Sequence, residues 1–125
     1  MNYTDDGDLP EVADDTLMAA LEATTPFTIV VLKAGPKFSP PGPDRDPNVE
    51  RTIWEHGKRN FALREAGLMP IVCPVADGGD TTGVAIFDAT PGEVERIMSR
   101  DPGVTAGIFT YDVHATRSFP GSTLP

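Results

Sequence analysis

The sequence predicts an α+β domain, and three observations predict it. Four short apolar runs (27–33, 68–75, 83–88 and 106–115) are each bounded by turn formers. Two amphipathic segments, 49–66 and the stretch after Thr90, carry apolar residues at helical spacing. The two kinds follow one another as strand, helix, strand, strand, helix, strand. Two right-handed crossovers around a four-stranded antiparallel sheet turn that order into a ferredoxin-like βαββαβ fold. A chain of 125 residues is long enough for one such core, and no second domain is expected.

The first 25 residues form an extension to that core. They hold seven acids (Asp5, Asp6, Asp8, Glu11, Asp14, Asp15 and Glu22) and no Lys or Arg, whereas the remainder sets twelve acids against ten bases within a formal net charge of -9. Residues 1–12 offer little to bury and are expected to be mobile. Asp14, read as a cap, followed by Leu17, Met18 and Leu21, predicts a short helix with one apolar edge.

The run 27–33 is apolar at almost every position, which predicts a strand covered on both faces. The other runs share this character. Two crossover helices cover one sheet face only, so a homodimer packed sheet to sheet is expected to cover the other. The segment 34–47 has five prolines (Pro36, Pro40, Pro41, Pro43 and Pro47), predicting a stiff, extended loop of functional length. Lys33 and Lys37 at its start are candidates to reach an anionic group of a ligand, the plainer and favoured alternative for each being a solvated surface lysine.

Set on a helical wheel at about 100° per residue, 49–66 gathers Val49, Ile53, His56, Asn60 and Leu63 on one face, with Trp54 and Phe61 forming a second apolar stripe beside it. The helix is therefore expected to be buried over a wide arc, with His56 pointing inward. Gly67 reads as its stop. Alternation along the next strand puts Ile71, Cys73, Val75 and Asp77 on one face, with Asp77 at the exit before Gly78 and Gly79. His56 and Asp77 are thus candidates to meet, as an imidazole able to move a proton near neutral pH and the carboxylate that orients it. The plain alternatives are a hydrogen-bonded core histidine and a turn-forming aspartate. Asn60 and Cys73 are candidates to line the same pocket. Further on, Thr90, Pro91 and Glu93 spell a capping box, Asp101 and Pro102 read as the end of that helix, and His114 is placed at the rim of the last strand. Residues 119–125 form a tail after a domain expected over 26–118.

Several functions are excluded. The acidic balance and the lack of a basic-aromatic stripe argue against nucleic acid. No run is long enough to span a bilayer and the start has no leader pattern, so a cytoplasmic protein is expected. The lone Cys73 excludes an internal disulfide and a cysteine-rich metal site. His56, His114 and Asp77 lack metal-ligand spacing, and no Gly-rich phosphate loop is present, so neither metal nor cofactor is expected.

Over residues 28–117 the chain resembles the YCII-related domain family. The likeness is carried by the segment Lys33-Ala34-Gly35-Pro36-Lys37, by Glu55-His56, by Gly67, by the stretch from Cys73 through Pro74, Val75, Ala76 and Asp77 to Gly78, by Asp101-Pro102 and by Ala106-Gly107-Ile108-Phe109. It departs in Cys73, where a glycine is usual, in the acidic extension and in the long proline-rich loop. The resemblance implies a ferredoxin-like core paired as a dimeric α/β barrel and an active site built on a His and an Asp, which fall on His56 and Asp77. One branch of that family eliminates chloride from a chlorinated hydroxyhydroquinone, while most members have no assigned reaction. Two functions follow as expectations: a small lyase- or isomerase-type enzyme moving a proton on a compact carbonyl or phenolic substrate, or a non-catalytic dimeric module that binds a small molecule in the same cavity.

Overall fold

The structure, a computed structural model, describes residues 3–124; Met1, Asn2 and Pro125, the outer ends of the expected extension and tail, lie outside the described residues. A 3-10 turn, Asp6–Asp8, precedes helix α1 (Asp14–Glu22) and strand β1 (Thr25–Ala34). Helix α2 (Pro47–Glu65), strands β2 (Ile71–Pro74) and β3 (Thr81–Phe87), helices α3 (Pro91–Ser99) and α4 (Pro102–Thr105) and strand β4 (Phe109–Ser118) follow. The four strands form one sheet in the order β2-β3-β1-β4, with every neighbouring pair antiparallel. This is the ferredoxin-like α+β arrangement that the order of apolar runs predicts.

Local chemistry sets the boundaries. Asp46 caps α2 by accepting the Asn48 N–H, and Pro47 occupies the first turn, where no donor is lost. At the other end Gly67 takes a positive φ of 78°, its N–H reaching the Arg64 carbonyl and that of Leu68 the Leu63 carbonyl. That double closure needs a residue without a Cβ penalty. Thr90 caps α3 through the Glu93 N–H, with Pro91 next. Contrary to expectation, Asp14 does not cap α1. Ala13 stands at the cap without a side-chain bond, and Asp14 and Asp15 occupy the first turn, where acids suit the helix dipole.

The core lies on one face of the sheet. Val30 and Leu32 of β1, Ala85 and Phe87 of β3, Val94 and Met98 of α3, and Ile108 and Phe109 are buried together with Met69, and Val49, Ile53 and Leu63 of α2 pack against them. The opposite face carries Ile29, Val31, Val84 and Ile86, none of which belongs to that cluster, with Val84 exposed. Of the two α2 stripes, only the one bearing His56 is covered. Trp54 and Phe61, expected inside, are 70% and 61% exposed. The helix meets the sheet along one face only, and no second layer lies over its outer side. No helix among the described residues is long and apolar enough to cross a membrane.

Candidate active site

His56 comes to the site because α2 turns its apolar face to the sheet, and at 8% exposure the imidazole is buried there. Its Nδ1 lies 2.8 Å from both carboxylate oxygens of Asp101, a residue with 0% exposure. A buried carboxylate requires several donors. Oδ2 of Asp101 accepts the N–H groups of Gly103 and Val104 at 2.9 and 3.2 Å, so the side chain also caps α4. The Arg59 guanidinium stands 3.8 Å from Oδ1 while donating to the Ile97 carbonyl. Since a carboxylate bonded in this way only accepts, Nδ1 of His56 carries a proton, and in the neutral ring Nε2 keeps a lone pair. The Asn60 amide, one helical turn on, lies 3.1 Å from that Nε2 and donates to it.

The pair is braced from one side by Phe109, whose ring centroid is 4.7 Å from that of His56. Phe109 in turn lies against α4. A Cβ on Gly103 would stand 2.5 Å from the Phe109 ring, so only glycine lets α4 pass close enough for its backbone N–H groups to meet Asp101.

Between α2 and the sheet a cavity of about 260 Å3 opens beside this pair. Its walls are mostly apolar, from Val30, Leu32, Ile53, Met69, Val72, Ala85, Phe87 and Met98, with His56 and Asn60 as polar side chains from α2, while Cys73 and Thr82 border it as residues of β2 and β3. The Thr82 hydroxyl is buried and has no hydrogen-bond partner. No Lys, Arg, Asp or Glu lines the cavity. The site therefore suits a compact, largely apolar, uncharged molecule that presents a hydrogen-bonding group to the imidazole. Among the described residues no cluster of three or more His, Cys, Asp or Glu is placed to hold a metal ion.

No family model matches the chain, and no curated protein matches it. Among solved structures the chain is similar to 5-chloro-2-hydroxyhydroquinone dehydrochlorinase (TftG) from Burkholderia phenoliruptrix AC1100, in its complex with 2,5-dihydroxybenzoquinone. The identity is 22%, the match covers 72% of this chain and 91% of that one, and the TM-score is 0.45. Membership of the YCII-related family is accordingly part of what is proposed below.

The sequence-predicted residues divide into two groups. His56 and Asn60 share the cavity, whereas Cys73 borders it as a residue of β2 but pairs with Val84, so its side chain belongs to the opposite sheet face. Asp77 does not hold His56: its exposed Oδ1 accepts the Gly79 N–H at 3.0 Å, closing its own turn. Strand β2 ends at Pro74, and Asp77, three residues beyond, follows the course of the turn rather than the face of the sheet. Lys33 is paired at 2.9 Å with Asp112 across the strands. The hydrogen bond to Asp112 and the attraction of its charge hold the Lys33 ammonium above its usual range and the Asp112 carboxyl below its own. Lys37 donates its backbone N–H to Gly107 and lays its side chain along that glycine. Neither lysine reaches the cavity. The proline-rich loop touches the cavity only through an intermediate: Phe38 packs on Phe109, with ring centroids 6.1 Å apart.

Asp101 is the residue that sequence reasoning missed. With Pro102 it was read as a helix stop, yet Asp followed by Pro is equally the signature of a cap and first position. That signal marks α4, whose start turns the carboxylate inward.

Proposed function

We propose that the cavity beside His56 is the active site of a YCII-like enzyme that moves a proton on a compact carbonyl or phenolic substrate, in a lyase or isomerase reaction. The observation that carries this reading is the buried imidazole with one nitrogen fixed by Asp101 and the other at the cavity wall. His56 Nε2 takes a proton from an acidic C–H or O–H of the substrate. The resulting imidazolium is stabilised by the Asp101 carboxylate, and the proton is then returned to a second atom or to a departing group. Asn60 holds Nε2 in line and yields its place as substrate arrives. In this reading Asp101 takes the orienting role first assigned to Asp77, and Lys33 and Lys37 have no part in it.

The working unit is a pair of chains joined over the open sheet face, which presents Ile29, Val31, Val84 and Ile86. A second reading, a binding module that performs no reaction, draws on the Asn60 amide already satisfying Nε2 and on the lack of any cation to stabilise an enolate.

Hydrogen exchange separates the two. In D2O, ring-sized cyclic ketones and phenols, uncharged near neutral pH, are followed by proton NMR with and without the protein. Catalysed deuterium uptake that falls by about a hundredfold or more in His56→Gln supports the enzyme, that being the usual worth of a positioned acid-base group. Saturable binding of the same compounds without exchange supports the module.

A further inference from the structure

Two apolar surfaces of this chain stand open to solvent, and they match each other. Helix α1 buries no residue, and its edge of Leu17, Met18 and Leu21 is exposed. A nine-residue helix is marginal in water without something to pack on. On α2, Trp54 and Phe61 form an exposed stripe facing away from the core. Beside it Gly57, at the border between the stripe and the cavity, has nothing within 4 Å of the place a Cβ would occupy.

Charge matches as well as shape. Arg45 pairs with Glu50 and Arg64 with Glu65, whereas Arg51 and Lys58, which flank Glu55 along one border of the stripe, make no ion pair within 4 Å among the described residues. On α1, Asp14 falls within the apolar arc and Asp15 and Glu22 along one border, likewise without partners among the described residues. Trp54 and Phe61 are two turns apart, about 10 Å, and α1 is about 13 Å long. Among the described residues nothing of the same chain covers either surface.

We propose that α1 of one chain docks, apolar edge down, on the Trp54 and Phe61 stripe of a second copy, with its acids against Arg51 and Lys58. This contact is separate from pairing over the open sheet face, because the stripe lies on the outer side of the helix layer. One short helix buries far less than the roughly 1,200–2,000 Å2 of a stable interface, so the contact alone is weak and strengthens at low salt.

Trp54 is the chain's only tryptophan, so its fluorescence reports this contact directly. The expected result is emission that moves to the blue as the full chain is concentrated from nanomolar to high micromolar, but stays red throughout in the Leu17→Asp, Met18→Asp, Leu21→Asp triple variant. The shift persists in Val31→Lys, which disrupts the sheet face. A charge exchange then tests for contact between chains. Arg51→Glu with Lys58→Glu, and separately Asp14→Lys with Asp15→Lys, each give red emission alone and recover the blue shift when mixed. Emission that does not change with concentration, red or blue, would overturn the proposal. So would a shift that the α1 substitutions leave intact, or a mixture that stays red.

Discussion

At the scale of single residues the centre of the molecule is Asp101. One side chain caps α4 and holds His56, so its loss removes both. Asp101→Ala should cost about 2–4 kcal/mol, combining a lost cap with a buried donor left unsatisfied. Asp77→Asn should cost almost nothing, since an amide oxygen can still accept the Gly79 N–H on the surface. Urea unfolding of the two variants against the parent chain checks this directly. Equal costs would mean that the Asp101 pair contributes no more than a surface turn does. His56 and Asn60 were legible in the sequence because helical spacing places them on one apolar face. Asp101 was not, because its 45-residue separation from His56 is closed only by the fold.

At the scale of elements, β4 and α3 are tied where Tyr111 donates its hydroxyl to Glu95 at 2.8 Å. Burial raises the Tyr111 phenol above its ordinary 10.0, and the hydrogen bond to Glu95 and the repulsion between phenolate and carboxylate add to this. A phenol whose value is raised by folding contributes stability in full below its unfolded value, and that contribution is lost as pH rises through the folded value. The parent chain should therefore be more stable than Tyr111→Phe near neutral pH, with the gap closing in strongly alkaline solution. Urea midpoints for both proteins across that range provide the test, and a gap that stays constant would contradict it. The elements themselves were largely readable. Strands declared themselves by apolar runs and α3 by Thr90 and Pro91, while boundaries moved by a few residues: β2 starts only at Ile71 because Leu68 and Met69 close the end of α2, and elsewhere ladder bonds extend past the last buried side chain. Strand β4, for instance, runs on to Ser118 through its pairing with Thr25.

At the scale of the whole molecule, the proposed pairing over the open sheet face has a direct check. Once Leu17→Asp and Leu21→Asp have disabled the α1 edge, the chain should still sediment as a dimer at micromolar concentration, and Val31→Lys added to it should give a monomer. A monomer before the lysine is introduced would remove the sheet-to-sheet pairing. The same scale explains the error over Trp54 and Phe61. Periodicity shows that a residue is apolar and on which side of a helix it lies, but not whether another layer of this chain reaches that side.

By itself the sequence determined what short-range physics determines: the order of strands and helices, the caps at Thr90 and Gly67, and the inward face of α2 with His56 and Asn60 on it. Those features depend on neighbours a few residues apart. Which carboxylate meets the imidazole was decided only by the tertiary structure. Strand β2 stops short of Asp77 and gives its side chain to a local turn. Gly103 lets α4 press against Phe109, and that close approach brings the Asp101 carboxylate under His56, where backbone N–H groups and Arg59 make its burial tolerable.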